Sequence, residues 1–239
     1  MFSFETKVRY SELSKNGLVR PEAIVNYLQD CTMFHSDMLG ADVDFYKKEK
    51  KAWVLNSWQI DIHEDISAGQ TLTIGTWPYD FIGAYGNRNF VIKNGEGKNI
   101  VEANTVWVFT DIEAGRPVKL TEDYTKFYSI EEKLPMEYLD RKIKIPKELA
   151  GFEKEPMHIY KSYIDSNGHV NNARYIECAS EYLPKECRVK RIRAEYRNQA
   201  KYGSDFYPVV YKKEDDGIYV SLNDENGRVY AVIEFDIFM

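Results

Sequence analysis

The sequence predicts an α+β fold in which one unit, a strand, a helix and four further strands, occurs twice. The first observation is an internal repeat, because Ser11–Val19 aligns with Ser162–Val170 and a helix-like run follows each copy. The second is a series of strand-like runs separated by glycine or asparagine turn signals. Because the order of helices and strands agrees between the two halves, and not only the short turn sequences, we expect a duplication.

The first half opens with a short extended stretch, Thr6–Tyr10. A helix is predicted from Pro21, because proline suits the first helical position and apolar residues follow at helical spacing. We expect a loop at Gly83–Gly86, where two glycines interrupt the pattern. The strands of this half are predicted at Ala52–Ile62, Thr71–Tyr79, Arg88–Lys93 and Ile100–Thr110.

The stretch Asp111–Pro156 carries four prolines among charges and reads as a connector with short helical or irregular pieces. The second half then predicts a helix over Ala173–Glu181, capped by Asn171 or Asn172. A long strand with Glu195 near its end follows. Three more strands are predicted at Phe206–Lys212, Ile218–Asn223 and Arg228–Phe238. We expect boundaries at 1–112, 113–155 and 156–239.

Composition excludes several classes of protein. The formal net charge of −6 argues against nucleic-acid binding by the whole molecule. The longest apolar runs are too short for a transmembrane helix, and the N-terminus does not resemble a signal peptide. The three cysteines fit neither a metal site nor a disulfide framework. We therefore expect a cytoplasmic protein without cofactor, metal or membrane insertion, and a homodimer is possible.

The candidate site is the stretch from Asp165 to Asn172. Asp165, Asn167 and His169 are two residues apart, so an extended segment would place their side chains on one face. A helix start follows, with unpaired N–H groups that favour negative charge. This set could activate a water and hold an oxyanion. The alternative is an ordinary turn followed by a helix cap, since these residue types are common there.

The repeat separates these two interpretations. The first copy has Ser14 and Leu18 where the second has Asp165 and His169, whereas the following Asn and Gly occur in both copies. A common turn explains the shared residues. The polar residues found in one copy only are not needed by the fold, which favours chemistry in the second half and an apolar, substrate-holding first half.

The pattern Asp-x-Asn-x-His-Val-Asn-Asn-x-x-Tyr at Asp165–Tyr175 resembles the acyl-ACP thioesterases of plants and bacteria. Tyr27–Asp30, Ala52–Val54 and Val106–Val108 are similar too. The resemblance implies two tandem hotdog units, each a long central helix wrapped by an antiparallel sheet, forming an internal pseudo-dimer. It also implies hydrolysis of a fatty acyl thioester on acyl carrier protein (ACP), with catalytic Asp, Asn and His at positions 165, 167 and 169.

The chain departs from plant members of that family after the strand of Glu195. Those members continue Glu-Tyr-Arg-Arg-Glu-Cys, but this chain has Gln199 and Ala200 at the last two positions. A Cys–His mechanism therefore lacks its thiol here. An amide cannot act as a base in this pH range, but Gln199 can orient a water.

We expect general-base hydrolysis, with water held near Asp165, His169 and Gln199. Either His169 or Asp165 is the base, or Asp165 is a nucleophile. Asn167 and backbone N–H groups near Asn171–Ala173 would bind the oxyanion. Cys178 is interpreted as a small buried residue. The residues expected to bind the substrate are Asn171, Asn172, Arg197, Trp53 and Trp58, the two tryptophans within an apolar slot.

Three alternatives share parts of this interpretation. An acyl-CoA thioesterase would keep the chemistry and change the carrier. A non-catalytic acyl-binding protein would keep the slot and lose turnover, and a hotdog dehydratase would need an acid/base pair aimed at a hydroxyacyl group. The basic run Lys185–Arg193, with Arg197 and Lys201, could receive acidic ACP. Its alternative role is a strand edge protected by charge.

Overall fold

The computed structural model describes residues 1–214 and 216–238. The helices are α1 (Pro21–Met38), α2 (Val43–Lys48), α3 (Glu122–Thr125) and α4 (Asn172–Ser180). The strands of the first half are β1 (Phe2–Lys7), β2 (Lys51–Ile62), β3 (Thr71–Ile82), β4 (Tyr85–Lys93), β5 (Asn99–Asp111) and β6 (Arg116–Pro117). The remaining strands are β7 (Gly151–Glu153), β8 (Met157–His158), β9 (Arg188–Tyr196), β10 (Asp205–Lys212), β11 (Gly217–Asn223) and β12 (Val229–Phe238). Of the helices in these ranges, none has the length and apolar character needed to span a membrane.

The strands form one antiparallel sheet with the order β1-β3-β4-β5-β2-β9-β12-β11-β10-β7, and β6 and β8 pair with β5 and β10. The two halves of the chain meet where β2 pairs with β9, from Ser57 opposite Glu195 to Asp61 opposite Arg191. Because this ladder is internal, both strands are flanked by neighbours on each side. The sheet therefore continues through both halves of the chain.

The other predicted strands are confirmed, with ends that differ by a few residues, but Thr6–Tyr10 shares only Thr6 and Lys7 with β1, and the predicted loop Gly83–Gly86 is wrong. Strand β3 runs to Ile82 and β4 starts at Tyr85, so a tight turn joins them, with φ of +64° at Gly83. Gly86 lies inside β4. A Cβ there would lie 2.9 Å from the Trp53 ring, so this glycine permits close packing rather than loop mobility.

The two main helices begin where the sequence predicts. Helix α1 begins at Pro21, as predicted, and has 18 residues. Asn171 caps α4, and its 9 residues, Asn172–Ser180, confirm the helix predicted over Ala173–Glu181 to within one residue; α4 is nevertheless shorter than the long central helix that the resemblance implies. Pro184 gives the physical reason, because the residue before a proline is disfavoured in helical conformation.

One main core links the two halves. It includes Leu28 of α1, Ile60 of β2, Ile176 of α4 and Phe235 of β12, each fully or almost fully buried. A smaller aromatic cluster centres on Ala41, Tyr46 and Phe109. Its partly buried members are Phe45, Trp53, Val118, Leu120, Tyr124, Phe127 and Tyr128. Residues after β6 thus close one end of the first half.

The stretch 131–143 lies across the sheet face opposite α1. Arg88 of β4 contacts His35 of α1, so its neighbour Asn89 faces the other way. The Asn89 side chain accepts a hydrogen bond from the Leu134 N–H at 3.1 Å. We call this stretch the strap.

Side chains of three strands hold the strap. Gln59 of β2 accepts from the Leu139 N–H at 2.9 Å and donates to the Glu137 carbonyl at 2.7 Å. Glu195 of β9 accepts from the Ile143 N–H at 2.9 Å. A cleft of about 280 Å³ remains between strap and sheet. The strap therefore attaches to β2 and β4 of the first half and β9 of the second.

Replacing Gly86 by Ala should lower the free energy of unfolding by about 1–3 kcal/mol, because the new methyl group would overlap the Trp53 ring. The matched control is Gly95→Ala, where no atom lies within 4 Å of the added Cβ. Urea denaturation of both variants checks this. Equal losses at the two positions would contradict the close-packing role of Gly86.

Candidate active site

The segment 165–169 is a tight turn, so the prediction of an extended segment is wrong. The Asp165 N–H donates to the His169 carbonyl at 2.8 Å, and Gly168 has φ of +79°. The Asp165 Oδ1 atom accepts from the N–H groups of Asn167 at 2.8 Å and His169 at 3.3 Å. An acid bonded to the backbone two residues on favours a turn over a strand. Asn167 is exposed, whereas Asp165 and His169 are half-buried.

The first half contains a turn of the same geometry. The Ser14 N–H donates to the Leu18 carbonyl at 2.8 Å, and Gly17 has φ of +76°. An isolated bridge closes each turn, between Leu13 and Val19 here and between Ile164 and Val170 in the second half. The same turn therefore forms without an acid or an imidazole.

The start of α4 follows directly after the turn. The Asn171 side chain accepts from the Ala173 N–H at 2.9 Å, and the Asn171 N–H donates to the Tyr163 carbonyl at 2.9 Å. The Asn172 N–H has no acceptor among residues 1–214 and 216–238. Of the N–H groups expected to bind an oxyanion, Asn172 is thus the one left open.

The loop after β9 lies beside the turn. The Val170 N–H donates to the Ala200 carbonyl at 3.1 Å, and the Ala200 N–H donates to the Tyr175 hydroxyl at 3.0 Å. Ala200 is fully buried, whereas Gln199 is exposed. The backbone contact therefore brings Gln199 into the neighbourhood of His169.

Arg197 is engaged within the chain. Its guanidinium donates to the Glu195 carboxylate at 2.7 Å and to the Ile143 carbonyl at 3.0 Å. Both partners belong to the contact between β9 and the strap. These contacts favour a structural role for Arg197 over the predicted contact with substrate.

Trp53 and Trp58 lie in the first half and belong to different parts of the core. Trp58 is 2% exposed, and its ring centre lies 5.2 Å from that of Phe90. Trp53 packs between Phe81 and Phe109, with ring centres 6.0 and 5.1 Å away. Trp58 is a core residue and Trp53 is half-buried, and both lie in the half in which the apolar slot is expected.

Gln29 contacts the candidate site, and the sequence alone did not assign it there. Its side chain accepts from the Asn172 side-chain amide at 3.1 Å and donates to the Asn171 side chain at 3.4 Å. The Asn172 carbonyl also accepts from the Tyr196 hydroxyl at 2.9 Å. Helix α1 therefore positions the start of α4. In the sequence, this region is marked only by the similarity of Tyr27–Asp30 to the family named above. That similarity assigns no role to Gln29.

A cleft of about 170 Å³ lies between α1, α4 and the turn. Asp165 and Asn171 line it, together with Glu22 of α1 and Arg174 of α4. Burial raises the pKa of Glu22, and the Arg20 guanidinium at 2.7 Å opposes that rise. The cleft is polar and leaves one side of the turn accessible to a ligand.

The cysteines do not supply a nucleophile to this site. Cys178 is 1% exposed, and burial raises the pKa of its thiol to about 12, which confirms the prediction of a small buried residue. Cys31 is fully buried, with a pKa raised by burial to about 12. In the described ranges, His, Cys, Asp and Glu side chains form no cluster suited to a metal ion.

The basic run Lys185–Arg193 extends into β9, where β2 pairs only with Arg191–Glu195, so its interpretation as a sheet edge is wrong for Arg191–Arg193. Its arginines pair with carboxylates of the same chain. Arg188 contacts Asp65 at 2.8 Å, Arg191 contacts Asp61 and Glu137, and Arg193 contacts Glu234 at 2.5 Å. These pairs reduce the positive charge available to a partner.

Comparison with known families agrees with this architecture. The family described as "Acyl-ACP thioesterase N-terminal domain" matches residues 1–128, and "Acyl-ACP thioesterase C-terminal domain" matches residues 147–235. The chain belongs to the acyl-ACP thioesterase family. The resemblance seen in the sequence is thereby confirmed.

Curated relatives of this thioesterase-family chain are distant. The oleoyl-acyl carrier protein thioesterase 2 of Arabidopsis thaliana is 26% identical over 219 residues, which cover 83% of this chain and 60% of that protein. The corresponding protein of Coriandrum sativum is 24% identical, over 95% of this chain and 67% of its own length. The chain thus spans roughly half to two thirds of the curated relatives it matches.

Solved structures show the fold. An acyl-ACP thioesterase from Bacteroides thetaiotaomicron superposes with a TM-score of 0.90 at 21% identity, covering 99% of this chain and 97% of that one. The 12:0-ACP thioesterase of Umbellularia californica gives 0.87 at 15% identity, covering 100% and 98%. The chain therefore has the hotdog fold, with a mostly antiparallel sheet and few helices.

We expect thiol reagents to modify Cys187 first in the folded protein at pH 8. Cys187 is half-buried, whereas Cys31 and Cys178 are buried and remain protonated because burial raises the pKa of each thiol to about 12. Kinetics of thiol labelling with and without denaturant measure this. If Cys187→Ser were still labelled rapidly without denaturant, the prediction that Cys187 reacts first would be contradicted.

Proposed function

We propose that this chain hydrolyses fatty acyl-ACP to free fatty acid and holo-ACP. The observation that carries the proposal is the polar turn at Asp165–His169, which leads directly into the open N–H of Asn172 at the start of α4. Family membership and the names of the curated relatives support the reaction and the carrier.

The geometry of the turn suggests a role for each residue in the reaction. One oxygen of Asp165 is bonded to the Asn167 and His169 N–H groups, which orients the carboxylate and leaves the second oxygen for a water or for His169. His169 is the default base near neutral pH, and Asp165 is the alternative base or nucleophile. Asn167 and the Asn172 N–H would stabilise the oxyanion, and Gln199 would orient the water.

We also propose that the chain consists of two hotdog units, with boundaries at 1–112, 113–155 and 156–239. The strand orders support this, because β3-β4-β5-β2 and β10-β11-β12-β9 read the same from each edge to the centre. The matched turns at Ser14–Leu18 and Asp165–His169 support it too. The first unit would hold the acyl chain, in a slot bordered by Trp53 and Trp58, and the second would carry the reaction.

The activity should depend on the polar residues that occur in the second turn only. Asp165→Asn and His169→Ala should each lower kcat by about a hundred-fold or more, because each removes a group that moves or orients a proton. Asn can still accept the turn's hydrogen bonds, so Asp165→Asn preserves the fold. Steady-state hydrolysis of fatty acyl-ACP measures this.

The proposed role of Asn167 in stabilising the oxyanion is tested with Asn167→Ala, and Asn16→Ala is the matched control. Both asparagines are exposed and occupy the same position of equivalent turns. Asn167→Ala should lower kcat by about a hundred-fold, whereas Asn16→Ala should leave it near the wild-type value. Similar effects of the two variants, or near-normal turnover of both Asp165→Asn and His169→Ala, would sink the proposed mechanism.

The carrier is tested by release of free thiol from matched acyl-ACP and acyl-CoA panels. We expect a higher kcat/KM with ACP, since the named relatives act on acyl carrier protein. A preference for CoA would identify an acyl-CoA thioesterase. Binding of acyl chains without release from either carrier would identify a non-catalytic acyl-binding protein.

A further inference from the structure

The first half buries a guanidinium without an ion-pair partner. Arg88 of β4 is 7% exposed. Its Nη1 atom donates to the Thr76 hydroxyl at 3.2 Å and to Nδ1 of His35 at 3.0 Å. Its Cζ atom lies 5.6 Å from the centre of the Tyr128 ring. Across residues 1–214 and 216–238, no carboxylate pairs with Arg88, so its charge stays uncompensated by an acid.

His35 accepts a hydrogen bond from Arg88 but brings no negative charge to it. Because Arg88 can only donate, Nδ1 of His35 must be the acceptor, and the proton of the neutral ring sits on Nε2. Burial, reinforced by the charge of Arg88, lowers the pKa of His35 to about 4. The ring therefore remains neutral at physiological pH.

Two further buried donors lie in the aromatic cluster that Arg88 contacts through Tyr128. The Tyr46 hydroxyl and the Trp53 indole N–H are buried and form no hydrogen bond within the described part of the chain. The Tyr46 hydroxyl lies beside Tyr128 and Trp53 and feels the charge of Arg88. Burial raises its pKa above the ordinary value, so the hydroxyl keeps its proton. We call Arg88, Tyr46 and Trp53 the donor cluster.

Among the described residues, the donor cluster has no carboxylate and few acceptors: Arg88 donates to Thr76 and His35, and the two other donors form no hydrogen bond of good geometry. Buried polar groups in proteins are normally hydrogen-bonded, and buried charges are normally paired. Here a guanidinium, a hydroxyl and an indole N–H share a core region whose other members are mainly aromatic. An oxygen atom brought by a ligand would satisfy several of these donors at once.

The cluster lies where the far end of a bound acyl chain would arrive. Gln29 of α1 contacts the start of α4 at the candidate active site. His35 lies six residues further along α1, which corresponds to about 9 Å of helix, and it shares the buried face of α1 with Leu28 and Cys31. A chain that follows this face away from the site therefore leads to Arg88.

We propose that the donor cluster is a subsite for an acceptor oxygen on the distal part of the acyl chain. The preferred substrates are then acyl thioesters with a hydroxyl or carboxylate group near the far end, rather than plain alkyl chains of equal length. A hydroxyl oxygen accepts from the donors, and a carboxylate also neutralises Arg88. This proposal depends on the proposed function only in assuming that the substrate is an acyl thioester.

The test compares octanoyl-ACP with its ω-hydroxy and ω-carboxy counterparts, and repeats the comparison with dodecanoyl-ACP. In the wild type, an oxygen-bearing probe should exceed the plain probe in kcat/KM by at least about ten-fold, because a site built for a hydrogen bond rejects the analogue that lacks it. A larger gain for carboxylate than for hydroxyl identifies charge neutralisation as the main recognition.

Variants assign the preference to the cluster. Tyr46→Phe removes only an unbonded hydroxyl, and Arg88→Met removes the charge; both should bring the ratio of oxygen-bearing to plain substrate toward one. Tyr124→Phe is the matched control, since its hydroxyl contacts exposed Glu49 at 3.4 Å within the same aromatic cluster. It should keep the wild-type ratio. If Arg88→Met does not fold, Tyr46→Phe decides.

The subsite would be overturned if the plain probes of both lengths were hydrolysed as fast as, or faster than, the oxygen-bearing probes and if Tyr46→Phe left the ratio of their kcat/KM values unchanged. Arg88 would then be a structural cation. If the wild type hydrolyses none of the probes, the proposed function fails, and binding of free octanoic, 8-hydroxyoctanoic and octanedioic acids by calorimetry tests the subsite alone. Tighter binding of the oxygen-bearing acids, weakened by Tyr46→Phe, would support it. Equal affinities, or no binding, would overturn it.

Discussion

The antiparallel pairing of β2 with β9 is the constraint on which the rest of the architecture depends. It joins strands from the two halves into one sheet and places Arg191 and Arg193 between two neighbouring strands. It also fixes the position of Glu195, which holds both Arg197 and the strap. Helices α1 and α4 then lie close enough for Gln29 to bond to Asn171 and Asn172. The geometry of the candidate site is therefore set by a ladder that contains none of the residues proposed to react.

Much of the fold could be predicted from local pattern. Alternating and β-branched runs gave the strands, Pro21 marked the start of α1, and asparagine marked the start of α4. The errors have local causes that a pattern of spacing does not contain. Asp165 bonds to its own turn, so a period of two residues did not mean an extended segment. Pro184 shortens the second helix, and Gly86 is a glycine because Trp53 needs the space.

The rest of the site depends on contacts between residues far apart in the chain. Gln29 and Asn172 are 143 residues apart, and no periodicity links them. The strap has no helical or strand pattern, so its path over the sheet is set by side chains such as Gln59 and Asn89 that accept from its backbone. Arg88 would be placed at the surface by its residue type. Only the packing of α1 on β4 reveals it as a buried cation in the half expected to hold an apolar chain.

The strap has a consequence for self-association. It occupies the sheet face opposite α1 and is bonded to strands of both halves, so that face is not a bare surface on which a second molecule could stack its own sheet. Back-to-back assembly of two copies through these strands would first require removal of the strap and exposure of the side chains that hold it. If the protein forms a homodimer, its interface must therefore use strands that the strap does not contact, the sheet edges or the helices. The cleft beside Asp165 would stay open to ligand only in some of those arrangements.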